Sequence, residues 1–272
     1  MKFSVPELAH VIPSTGRTGV TAVTSLGDDV FVVRLRSQEV EVYDAGTFTF
    51  QRRITVPGLR CPFGLAACAH YRCLYVSDND HHSIHRAELS SFTAVKKWIV
   101  ASDPTGLSVN GAHNVVVACC EANKIQDYTT NGTLVREISL QAGVIRPWHA
   151  VQLSIGDYVV SQCTLSGVVS EVRADGHVVC RYCPSETSDV GQMKYPTSLA
   201  VTRNGDILVA DTNNDRILSI NSSLRSAQEL TLPVDVGIKE PWGIFLDESR
   251  GRLYIGETGG NQRILVFDGV RL

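Results

Sequence analysis

The chain has 272 residues, 43% hydrophobic and 19% charged, with 25 Lys and Arg against 28 Asp and Glu. That length suits one large domain or two small ones, and the composition is that of a chain with a sizeable core rather than a disordered one. A formal charge of -3 supplies no global positive field, which argues against DNA and anionic membranes as partners.

The amino-terminal stretch MKFSVPELAHVIP lacks the continuous apolar segment of a signal peptide, and no window of the chain approaches 18 uninterrupted apolar residues. A cytoplasmic protein is therefore expected. From Arg17 onward the chain repeats itself. "RTGVTAVTSLGDDVFVVRLRSQEVEVYD" is followed by "CPFGLAACAHYRCLYVSDNDHHSIHRA", "DPTGLSVNGAHNVVVACCEANKIQDY", "RPWHAVQLSIGDYVVSQCTLSGVVSEV", "YPTSLAVTRNGDILVADTNNDRILSI" and "EPWGIFLDESRGRLYIGETGGNQRILVF". The proline that opens the copies stands at 62, 104, 147, 196 and 241, at spacings of 42 to 49 residues, and the first copy lacks it. Such a period is the signature of a repeat architecture.

Within each copy, short β-rich apolar runs alternate with Asn, Asp and Gly turns, for example Leu199–Val201, Ile207–Ala210 and Arg216–Ile220. These are antiparallel strands, four to a unit. A lone meander leaves a face exposed, whereas meanders set radially bury one another, so the pattern predicts an all-β, six-bladed β-propeller as a single domain over residues 1–272. The last copy ends after its third strand, and "LAHVIP" before Arg17 aligns with "RRITVP" before Pro62. Residues 1–16, with Glu7–Ile12 as the strand, are thus expected to complete the last blade and close the ring, and a monomer is expected.

The pattern Pro-x-Gly-apolar, then Val-Ala-Asp, then Asn-x-Arg-Ile, as in "PTSLAV...NGDILVADTNNDRI", resembles the NHL repeat. The resemblance is close in copies two, five and six, partial in three and four, and weak in one. Such propellers end tripartite-motif ubiquitin ligases and RNA repressors, form peptide-amidating lyases, and occur as free-standing proteins; if this chain derives from a tripartite-motif protein, it is only the propeller. Asp78, Asp211 and Glu257 share one repeat position, which Arg34, Cys119 and Gln162 fill elsewhere. Because it recurs, this carboxylate is expected to hold its neighbouring turn.

Function is expected on the loops around one channel mouth. The residue after the repeat proline reads Thr18, Phe63, Thr105, Trp148, Thr197, Trp242, with aromatics in alternate copies. Phe63, Trp148 and Trp242 either pack beneath neighbouring loops or supply stacking platforms and apolar anchors. The facing loops add Arg34, Arg36, His81, His82, Glu121, Asn123, Thr164, Ser166, Asn213 to Asp215, Asn261 and Arg263, a rim of mixed sign that suits a protein or peptide. Single-stranded RNA, held by the aromatics with Arg34, Arg36 and Arg263, is the alternative partner.

His149 stands alone at the residue after Trp148, with a local polar role expected. The enzymatic alternative is a metal-assisted hydrolase, lactonase or lyase in the central channel, using His149, Glu257 and Asp78. It takes calcium by resemblance to propeller lactonases or zinc by resemblance to amidating lyases. No cofactor or metal ligand set is otherwise expected: Cys180 and Cys183 form a lone C-x-x-C, and the eight cysteines are expected as reduced, mostly buried thiols. Two glycosylation sequons, Asn131-Gly132-Thr133 and Asn221-Ser222-Ser223, do not change that expectation. Neither a Gly-x-Ser-x-Gly elbow nor a phosphate loop is present.

Overall fold

The computed structural model describes residues 6–14, 18–90, 95–141, 143–184, 190–233 and 236–270. They form six four-stranded antiparallel sheets and no α-helix. The innermost strands are Val20–Leu26, Pro62–Cys68, Pro104–Val109, Pro147–Gln152, Pro196–Val201 and Pro241–Asp247. Each neighbours the next around the ring, and the last packs against the first. Five of the six open on the repeat proline, a residue without an N–H to donate and so suited to the first position of a strand. Arg17, the expected start of the first copy, lies outside the described residues.

The core of this fold is not central. Six separate apolar clusters each fill the space between two adjacent blades, such as Leu65, Leu74 and Val76 with Val33, Val40 and Val42 between blades one and two. The strands are therefore apolar on both faces: Val115–Cys119, Tyr158–Gln162 and Ile207–Asp211 are buried throughout. Sheets covered on both sides require near-continuous Val, Ile and Leu runs rather than alternation.

Blade six is built from both ends of the chain. Its sheet runs Pro241–Asp247, Arg252–Glu257, Ile264–Asp268 and then Glu7–Ile12, with Leu8 opposite Phe267 and Ile12 opposite Ile264. The expected closing strand is in place, and Ile12, 1% exposed, enters the cluster between blades six and one.

The glycine of the Pro-x-Gly pattern permits the close approach of successive inner strands. A Cβ on Gly64 would stand 2.3 Å from the Thr105 carbonyl oxygen, and one on Gly243 would stand 2.7 Å from the Ala22 Cα. Neither backbone atom can move without parting two blades.

Candidate functional site at the channel mouth

Pro62 pairs with Asp78 and Pro241 with Glu257, so the start of each inner strand and the end of each second strand lie at one end of the ring. The loops there form the expected face. In blade one Val20 is the residue paired with the second-strand end, Arg34, and occupies the proline's place. The residue at the alternating position is accordingly Thr21 and not Thr18.

The alternation has a physical cause. Phe63, Trp148 and Trp242 come from blades two, four and six, which do not adjoin, yet their rings touch: centroids lie 5.6 Å apart for Phe63 and Trp148, 5.5 Å for Trp148 and Trp242, and 6.2 Å for Phe63 and Trp242. Three blades set around a ring can bring side chains into mutual contact only across its axis. The rings, each half-buried, form a lid over the channel, with edge-to-face pairs that suit the aromatic quadrupole. The interposed threonines have no room for a ring and serve the backbone instead. Thr105 Oγ1 donates to the Trp148 carbonyl at 2.7 Å, Thr197 Oγ1 to the Trp242 carbonyl at 2.8 Å, and Thr21 Oγ1 to the Pro62 carbonyl at 3.0 Å.

Thr105→Val, which keeps the shape and removes the hydroxyl, is thus expected to destabilise the fold by about 1–2 kcal/mol. Because the lost bond fixes the Trp148 carbonyl, the emission of Trp148 should shift as well; urea unfolding followed by fluorescence reads both quantities.

His149 lies below the lid. Its Nδ1 accepts the Leu199 N–H at 2.9 Å, which leaves the ring proton on Nε2, facing the Leu107 carbonyl at 3.0 Å. The imidazole bridges blades three, four and five, and Gly106 leaves it space, since a Cβ there would fall 2.6 Å from its Cδ2. Burial pushes its pKa down to about 4, with the Leu107 bond opposing that shift. Both nitrogens of this neutral ring are engaged, so it has no free lone pair to act as a base or bind a metal.

The recurring carboxylates face the loops. Asp78 accepts the Cys61 N–H at 3.1 Å, the Arg60 N–H at 3.2 Å and the His81 ring at 2.8 Å. Burial raises the Asp78 pKa, but the Cys61 N–H and the His81 ring outweigh it and hold the carboxyl below its ordinary range. Asp211 takes the Lys194 N–H at 2.7 Å and Arg216 Nε at 2.8 Å. Glu257 takes the Lys239 N–H at 2.9 Å and Arg263 Nε at 2.8 Å, and Gln162 accepts the Ile145 N–H at 3.0 Å. In each case the side chain pins the N–H two residues before the repeat proline.

Blades three and one solve the same problem differently. In blade three Cys119 cannot accept strongly, and Gln126 on the adjoining strand takes the Ala101 N–H at 3.0 Å. In blade one Arg34 donates instead, to the Thr18 carbonyl at 3.4 Å and the Gln262 carbonyl at 3.0 Å, with Glu41 balancing its charge at 3.0 Å.

Among the named rim residues, Arg34 is thus buried in an ion pair, and Arg263 is tied to Glu257 and to the Val236 carbonyl at 2.6 Å. His82 is exposed, adopts a φ of 46° before the third strand and meets Asp103 of the next blade at 3.1 Å. Arg36 is exposed. Two residues that the sequence reading missed are also exposed at this end of blade four, Ile145 at 50% and Leu165 at 67%. They flank Pro147 and Gln162, which pair there. Apolar residues in loops leading to and from a tryptophan were the available signal.

His149 lines the channel, whereas Asp78 and Glu257 are not among its lining residues. No group of three or more His, Cys, Asp or Glu side chains capable of holding a metal occurs among the described residues. With His149 saturated and the carboxylates engaged by backbone N–H groups, these side chains do not fit zinc or calcium. All eight cysteines are free thiols, six of them buried. Burial raises Cys119 and Cys163 to about 12, far from thiolate formation.

The pattern at residues 193–218 matches the NHL repeat. The protein is a six-bladed β-propeller carrying an NHL repeat. Among curated proteins none matches this sequence. Similar solved structures include the hydrazine synthase of Kuenenia stuttgartiensis, 16% identical with a TM-score of 0.68 over 94% of this chain and 97% of that one. A streptogramin B lyase is 12% identical with a TM-score of 0.69, over 95% and 86%. The virginiamycin B lyase of Staphylococcus aureus is 13% identical with a TM-score of 0.67, over 97% and 88%. At such identities the likeness is one of fold.

Proposed function

We propose that this propeller is a non-catalytic recognition module that binds a protein or peptide segment at the channel mouth. The observation that carries the reading is the aromatic lid: three half-buried rings meet on the axis, with Ile145 and Leu165 exposed on blade four of the same face. Half-buried aromatics on a rigid frame offer large apolar area at little entropic loss on binding, the usual character of an interface hot spot. The polar groups around them are mostly engaged in holding loops, which fixes the surface in one shape before a partner arrives.

Of the three arginines considered for RNA, only Arg36 is clear of the ion pairs that hold Arg34 and Arg263. Neutralising phosphates needs several free cations, so a peptide is the better fit. The lyases of similar fold suggest a catalytic reading, but here the one channel histidine has neither nitrogen to spare.

Selection of a displayed random peptide library on the immobilised protein tests the proposal. Selected peptides should lose about tenfold or more in affinity on Ile145→Glu or Trp148→Ala, measured by calorimetry. Peptides indifferent to both changes, together with salt-sensitive binding of single-stranded RNA, would sink it.

A further inference from the structure

Below the lid the channel holds a half-open cavity of about 260 Å³. Its walls come from all six inner strands, and no Asp, Glu, Lys or Arg is among the lining residues. The layer four residues into each inner strand past the proline, or past Val20 in blade one, is the reason a void exists: successive blades place Thr24, Ala66, Ser108, Val151, Ala200 and Phe245 there, and four of the six are Thr, Ala or Ser. The next layer toward the far end holds Ala67, Val109, Val201 and Leu246, all partly exposed.

The polar groups that reach the cavity are neutral, and Thr21, Ser108, Thr197 and Ser198 spend their hydroxyl donors on backbone carbonyls of the wall. Ser108 Oγ donates to the Ala150 carbonyl at 2.8 Å, and His149 is saturated as described. The cavity communicates with solvent at its far end, and water held against its largely apolar wall is favourably displaced by an apolar group. An apolar cavity of roughly 150 Å³ already stays dry and accepts benzene. An ion would meet no countercharge here.

We infer that the channel is a second binding site, for a small, neutral, apolar molecule of about two fused or linked rings. The lid rings touch one another across the near mouth, so the ligand enters past Ala67, Val109, Val201 and Leu246 and comes to rest beneath Trp148 and Trp242. This site lies on the channel side of the lid rings whose outer side forms the recognition surface, and its occupancy requires no peptide.

Titration with 6-propionyl-2-(dimethylamino)naphthalene, a neutral fluorescent probe of two fused rings, tests the inference. The expected result is saturable one-to-one binding, with quenching of tryptophan emission through Trp148 and Trp242. Val151→Phe fills the cavity and should weaken binding by roughly tenfold or more. Ala200→Leu is the second filling variant should Val151→Phe fail to fold. Ile145→Glu, on the outer face, should leave probe binding unchanged. Absence of saturable binding, or binding that either folded filling variant leaves intact, overturns the site; neither outcome bears on peptide recognition, which these two variants should spare.

Discussion

Replacing His149 by alanine is expected to lower stability by about 3–5 kcal/mol, and the melting temperature by roughly 10 °C, without altering the fold. The size of the effect follows from what remains. The Leu199 N–H and the Leu107 carbonyl would face a hole in the middle of three blades, and each buried polar group without a partner costs about 1–3 kcal/mol. His149→Gln, whose amide carries both a donor and an acceptor, should recover part of the loss, whereas His149→Phe, which restores only volume, should not. The same clamp sets a pH dependence. Its folded pKa of about 4 lies below the ordinary 6.5, so between those values the unfolded chain binds the extra proton. Stability is therefore full above pH 6.5 and declines as pH falls toward 4, by about 3 kcal/mol for this residue. Burial shifts His85 in the same direction, also to about 4, so His149→Gln should reduce the pH slope rather than abolish it. Urea unfolding at pH 7 and pH 4.5 measures the slope, and a wild-type stability that does not change across this range would contradict the neutral clamp.

How legible the molecule was in its sequence depended on whether a feature repeats. The five prolines each mark the first residue of an inner strand, because a residue without an N–H suits the same place in every blade. The closing strand was legible for a related reason: a missing fourth strand at one end and a spare one at the other must combine. Blade one escaped because Val20 replaces the proline, and the copy then aligned three positions early, which turned Thr21 into Thr18. The loop-pinning carboxylates of blades two, five and six were readable along the chain, but blade three's substitute, Gln126, and the partner that blade one's Arg34 needs, Glu41, lie across a strand pair. Glu41 and Gln126 are each followed two residues later by a buried tyrosine, Tyr43 or Tyr128, whose hydroxyl donates to them at 2.9 and 2.8 Å. That Glu/Gln-x-Tyr pattern appears in the two blades whose second strand ends without a carboxylate or amide, and it was a visible signal. The lid and the His149 clamp could not be read in this way. Both are contacts between blades that are distant along the chain, and only ring closure brings them together.

Removing residues 1–13 is expected to be at least as damaging as losing the clamp, and of a different kind. Glu7–Ile12 completes the sheet that carries Ile264–Asp268, so its loss leaves Leu265, Val266 and Phe267 at an unpaired edge and withdraws Ile12 from the cluster joining blades six and one. Burial of an isoleucine contributes about 1.5–3 kcal/mol, and each ladder hydrogen bond adds about 1 kcal/mol. A loss of about 5 kcal/mol follows, a large share of the 5–15 kcal/mol that holds most domains together. An open ring also presents an apolar strand edge to other copies, the condition under which sheets aggregate. The truncated chain should therefore unfold at lower urea concentration and precipitate on warming. His10→Pro tests the ladder, because His10 pairs with Val266 at the same hydrogen-bonding parity as Ile12 with Ile264, and proline has no N–H to give there. If the strand were merely draped on the ring, both changes would leave the melting temperature within a degree or two of the parent; if it is the closure, the substitution should reproduce most of the deletion's effect, and adding residues 1–13 back as a free peptide should restore part of it in proportion to concentration.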